Sequence, residues 1–91
     1  MKSNISLMHK VAKISELPED VVMGIPMLTL LGNNEINIEN YGGIVEYTNY
    51  LIRIRTKAGQ IIIKGENLFI DYYTNIEMKI QGNIISIEFQ Y

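Results

Sequence analysis

Residues 61–70 read Ile61-Ile62-Ile63-Lys64-Gly65-Glu66-Asn67-Leu68-Phe69-Ile70. Two short apolar runs flank a break centred on Gly65. Alternation at period two is the signature of a strand, and Gly or Asn between two such runs marks a turn. The same pattern, apolar-x-apolar-x-(Gly or Asn)-x-x-apolar-x-apolar, stands on both sides of this stretch. Upstream it is Val45-x-Tyr47-x-Asn49-x-x-Ile52-x-Ile54, and downstream it is Met78-x-Ile80-x-Gly82-x-x-Ile85-x-Ile87. Leu28-x-Leu30-x-Gly32 opens a fourth copy, whose second half, Ile36 and Ile38, arrives one residue late. The pivots Gly32, Asn49, Gly65 and Gly82 lie 17, 16 and 17 positions apart.

The pattern predicts strands at Met27–Leu31, Glu35–Glu39, Ile44–Thr48, Leu51–Thr56, Gln60–Lys64, Leu68–Tyr72, Ile76–Ile80 and Ile84–Phe89. Nearly every connection carries Gly or Asn, which tolerate positive φ, and no proline interrupts the strands. The expected fold is all-β. About eight short strands, in four hairpin-like repeats of 16–17 residues, form a small antiparallel sandwich or barrel with a short N-terminal helix. A short β-solenoid with one coil per repeat is the alternative. Ile36 and Ile38 alternate with Glu35, Asn37 and Glu39, and Ile52 and Ile54 with Arg53 and Arg55, so one face is buried and the other wet. Ile61–Ile63 and Leu68–Ile70 are apolar on both faces, which makes those strands central or part of a contact surface.

The 91 residues make one domain, residues 17–91, preceded by a flexible arm at 1–16. Leu7, Met8, Val11 and Ile14 in the arm fall at helical spacing. Pro18 suits a first helical position, Glu19 and Asp20 suit a first turn, and Gly24 and Pro26 stop the segment, which predicts a short capping helix over 18–23.

Composition bounds the function. Eight basic and ten acidic residues are interspersed, with a net charge of −2, so there is no basic footprint for nucleic acid. There is no cysteine, hence no disulfide and no thiolate metal site. No apolar run approaches the ~18–20 residues that span a bilayer, and the N-terminus lacks a secretory pattern. The expected location is cytoplasmic. Seventeen Ile, nine Asn and six Lys suggest an AT-rich genome.

No catalytic constellation is legible. His9 is the single histidine and has no partner set for a metal or for nucleophilic catalysis. Glu39 and Glu46 are acidic neighbours of the kind that alternating strands produce by chance. Gly42-Gly43 and Lys64-Gly65 match no phosphate-loop pattern and precede no helix. Arg53, Arg55 and Lys57 are the only basic cluster. Tyrosines outnumber phenylalanines six to two. Tyr47 takes a core position in the repeat, whereas Tyr41, Tyr50 and Tyr73 fall at turns, where aromatic side chains can anchor an interface. The last strand, with Phe89 and Tyr91, is expected at a sheet edge, where another chain can pair.

Several of these residues, in order, resemble a known family. Leu17-Pro18-x-Asp20-Val21, Pro26-x-Leu28-x-Leu30-x-Gly32 and Ile38-Glu39-Asn40-Tyr41-x-Gly43-Ile44 are similar to the start of the YabP/YqfC family of sporulation proteins. Ile52-Arg53-Ile54, Gly59-Gln60-Ile61-x-Ile63-Lys64-Gly65-x-x-Leu68 and Ile80-x-Gly82-x-Ile84 continue the match, which looks closest to the YqfC branch. The resemblance implies a small protein of endospore-forming Firmicutes, made in the mother cell, and supplies no catalytic residues to carry over; no cofactor is expected. It also implies a membrane-bound sporulation protein as partner, and a place at the membrane around the forespore.

The leading expectation is therefore a non-enzymatic protein-interaction or scaffold module at the developing spore envelope, with Tyr41, Tyr50, Tyr73, Phe89 and Tyr91 as contact residues. A self-assembling structural β-repeat protein, forming homo-oligomers through edge strands, is the second reading. A small-ligand-binding β domain is the third.

Overall fold

The computed structural model describes residues 25–91. The arm 1–16 with His9, and the helix expected over 18–23, lie outside the described residues. The described residues form six strands: β1 (Met27–Leu31), β2 (Glu35–Glu39), β3 (Gly43–Tyr47), β4 (Leu51–Arg55), β5 (Gln60–Tyr73) and β6 (Glu77–Gln90). All pair antiparallel in one open sheet of order β1-β2-β6-β5-β4-β3.

Six strands replace the expected eight because Gly65 and Gly82 are bends, not turns. The expected strands 60–64 and 68–72 are the two halves of β5, and most of 76–80 together with 84–89 lies in β6. β5 and β6 pair along nearly their whole length, with register shifts at Lys64/Gly65, Glu66/Phe69 and Ile70/Tyr72. Extra residues of this kind bend a strand and increase its twist. At Gly65 the β6 backbone passes so close that a Cβ would sit 2.2 Å from the Asn83 carbonyl oxygen. Gly82 holds φ at 140°, a conformation L side chains rarely adopt.

The repeat survives in this form. Two copies fold as the β1–β2 and β3–β4 hairpins, and two as bent strands. Each hairpin turn docks on one bend. Gly65 donates its N–H to the Tyr50 carbonyl (3.1 Å) and Leu68 to Asn49 (2.7 Å); Gly82 donates to Asn34 (3.1 Å) and Ile84 to Asn33 (2.8 Å). Successive coils of a solenoid would stack in parallel ladders; every pairing among the described residues is antiparallel, so that alternative does not describe them.

The bends turn both halves of the sheet toward one core. Ile36, Ile38, Met78 and Ile80 come from one half and Ile52, Ile54, Ile61 and Ile63 from the other, with Leu68 and Ile84 at the bends. Burying each Ile side chain contributes about 1.5–3 kcal/mol. At the end away from the bends, the β2–β3 crossover ties the halves together: Asn40 donates its N–H to Ile76 (3.0 Å) and Gly42 to Arg55 (2.6 Å).

Ile62 shows why β5 is apolar on both faces. It is 3% exposed yet stands outside the core cluster. In register it lies between Arg53 and Glu88 on the outer face. Arg53 pairs with Glu46 (3.5 Å) and Lys64 with Glu88 (3.4 Å), and such side chains lay their apolar stems over a neighbour while the heads stay wet.

Candidate interaction surface

The β2–β3 crossover begins at Asn40, whose φ of 64° lies in the left-handed region that Asn tolerates. That reversal drives Tyr41 inward. Tyr41 is 9% exposed, against the expectation of an exposed turn tyrosine. Its hydroxyl donates to the carbonyls of Thr74 and Glu77, and its ring stacks obliquely on Tyr73, with centroids 5.7 Å apart. Burial, joined by the neighbouring Tyr73 and Glu77, pushes the Tyr41 phenol up to about 12. The hydroxyl therefore stays protonated and remains a donor. Tyr41 is a pin between the crossover and the β5–β6 turn, not a free contact residue.

The turns share a device the sequence reading passed over. Thr48, Thr56 and Thr74 each open a turn and accept, through Oγ1, the N–H three residues on: Leu51 at 2.8 Å, Gly59 at 3.1 Å and Glu77 at 3.0 Å. The backbone returns the bond, each Thr N–H donating to the same residue's carbonyl. Threonine hydroxyls favour turns in this way. The signal was present as a Thr just after each of three strands.

The remaining candidates are exposed but divided between two ends. Tyr50 sits at the bend end, where its carbonyl receives the Gly65 N–H. Tyr73 stands at the opposite end against Tyr41. Phe89 pairs in register with Ile61, and Tyr91, 93% exposed, passes close to Gly59. The final strand is not a simple edge: the 77–81 part of β6 lies between β2 and β5, and only its second half pairs on one side among the described residues. Tyr47, expected inside, is half exposed, and its hydroxyl accepts the Ile70 N–H at 2.9 Å.

A shallow cavity of about 230 Å³ opens near Tyr41, lined by Asn40, Tyr41, Gly42, Lys57, Asn75 and Ile76. Small-molecule sites usually run from about 300 to 1,000 Å³. Two residues of the basic cluster are already engaged: Arg53 pairs with Glu46, and Arg55 donates to the Gly42 carbonyl at 3.0 Å. On the outer face of the other half, Tyr72 donates to Glu77 (2.8 Å), which raises the Tyr72 phenol above its ordinary value. Lys79 lies over the Tyr72 ring at 5.6 Å and pairs with Glu35 (3.7 Å). Among the described residues no group of three or more His, Cys, Asp or Glu is placed to hold a metal ion, and no helix is long and apolar enough to cross a membrane.

These features define a small all-β module whose loop end carries exposed aromatic side chains. The chain belongs to the YabP family, whose model matches residues 25–91. It is similar to the uncharacterized protein YqfC of Bacillus subtilis (strain 168), at 36% identity over 69 residues, which cover 76% of this chain and 74% of that protein. No solved structure matches.

Proposed function

We propose that the chain is a non-enzymatic interaction module that serves sporulation, acting in the mother cell at the developing spore envelope with a membrane-bound sporulation protein as partner. The sporulation setting comes from the family resemblance. The interaction role is carried by one observation: Tyr73, Ile76, Phe89 and Tyr91 are exposed around the end of the sheet away from the bends. Exposed aromatic side chains on a rigid frame are what interface anchors are made of. The small cavity gives no comparable support to a ligand-binding role.

The test is the count of heat-resistant spores after deletion of the gene in its own host, with vegetative growth as control. A collapse in spore number with normal growth is the expected result. Normal spore numbers would remove the developmental role.

A further inference from the structure

β1 ends the strand order, and among the described residues no strand pairs its outer side. Edge strands ordinarily carry a charge, a proline or a bulge that stops another strand from adding. The opposite end is guarded in this way: β3 carries Glu46 and a register shift between Ile44 and Glu46. β1 carries none of these. Met27-Leu28-Thr29-Leu30-Leu31 has no charged residue, no proline and no glycine, and it pairs β2 in unbroken register over all five residues. Leu30 and Leu31 are 52% and 67% exposed.

We propose that β1 pairs antiparallel with β1 of a second copy of this chain, about a twofold axis through Thr29, joining two six-stranded sheets edge to edge. The strand is self-complementary in that register. Thr29 faces Thr29, Leu28 faces Leu30, and Met27 faces Leu31. Leu28 and Leu30, which stand opposite core residues Ile38 and Ile36, extend the apolar face across the axis. Thr–Thr pairs are favourable across strands, and no like charges meet. The same operation fails on β3, where the register shift breaks the ladder. The contact is isologous and closes at two copies. It uses none of Tyr50, Tyr73, Phe89 or Tyr91, so it stands apart from the partner surface proposed above.

The chain has no cysteine, so a single introduced thiol reports its own neighbours. Facing residues of an antiparallel pair have Cα atoms about 4.5–5.5 Å apart, within the span of a disulfide. Under mild oxidation of the full chain, Thr29→Cys should form a covalent dimer, and Glu46→Cys on β3 should stay monomeric. In sedimentation, the unaltered chain should run as a dimer at concentrations where Thr29→Lys is a monomer with the same β-sheet circular dichroism. If Thr29→Lys does not fold, the cysteine pair decides. A chain that is monomeric at all concentrations overturns the proposal. So does equal cross-linking of the two cysteine variants, or growth beyond two copies.

Discussion

The Tyr41 ring rests 5.7 Å from the Tyr73 ring, while the Tyr41 hydroxyl is held by the backbone carbonyls of Thr74 and Glu77. One side chain thus joins the β2–β3 crossover to the β5–β6 turn. Tyr41→Phe should cost about 1 kcal/mol by loss of the hydroxyl's hydrogen bonds. Tyr41→Ala should cost about 3 kcal/mol by leaving a cavity. Tyr50→Ala, at an exposed turn, should stay within about 0.5 kcal/mol. Urea denaturation measures all three. Wild-type stability in Tyr41→Ala would contradict the pin.

The same tyrosine predicts an alkaline weakness. Its folded value of about 12 lies above the ordinary 10, so the fold favours the protonated phenol. The resulting stability is fully present below pH 10 and is lost as pH rises toward 12. Thermal melting across that window should fall more steeply for the unaltered chain than for Tyr41→Phe. Identical slopes would remove Tyr41 as the titrating group.

The bends depend on two glycines. A Cβ at Gly65 would meet the Asn83 oxygen at 2.2 Å, and one at Gly82 the Asn67 oxygen at 2.7 Å with φ at 140°. Gly65→Ala and Gly82→Ala should each destabilise by more than about 2 kcal/mol. Gly32, also at positive φ but in open space, should accept Asn at a cost below about 1 kcal/mol. Guanidinium melts of the three variants order them. Equal costs at all three positions would mean that close backbone approach is not what fixes Gly65 and Gly82.

Tyr47 holds the β3 end against the second half of β5 through the Ile70 N–H. Tyr47→Phe removes the acceptor, so the Ile70 amide should exchange with solvent several-fold faster while core amides such as Ile80 keep their protection. Unchanged exchange at Ile70 would mean the bond does not persist in solution.

Much of the architecture was legible because period-two alternation and turn residues are local signals. The four-strand run from Met27 to Arg55 was placed to within a residue or two, and the alternating Ile positions are the core. Strand number was misread because a Gly flanked by alternating runs looks the same whether the chain reverses or bends. Only the long-range docking of Asn34 on Gly82 and of Tyr50 on Gly65 tells the two apart. Tyr41 was misread for a related reason: its turn position is local, but the carbonyls that bury it lie 33 and 36 residues away. The exposed candidates were found by type and position, yet their division between two ends depends on the bends.

The most direct test of the interaction role is complementation of the deletion strain with Tyr73→Ser, Phe89→Ser and Tyr91→Ser combined. Tyr50→Ser at the far end serves as control, and folded protein levels are matched between strains. The account predicts few heat-resistant spores from the triple variant and normal numbers from the control. Full spore numbers from a folded triple variant would contradict it.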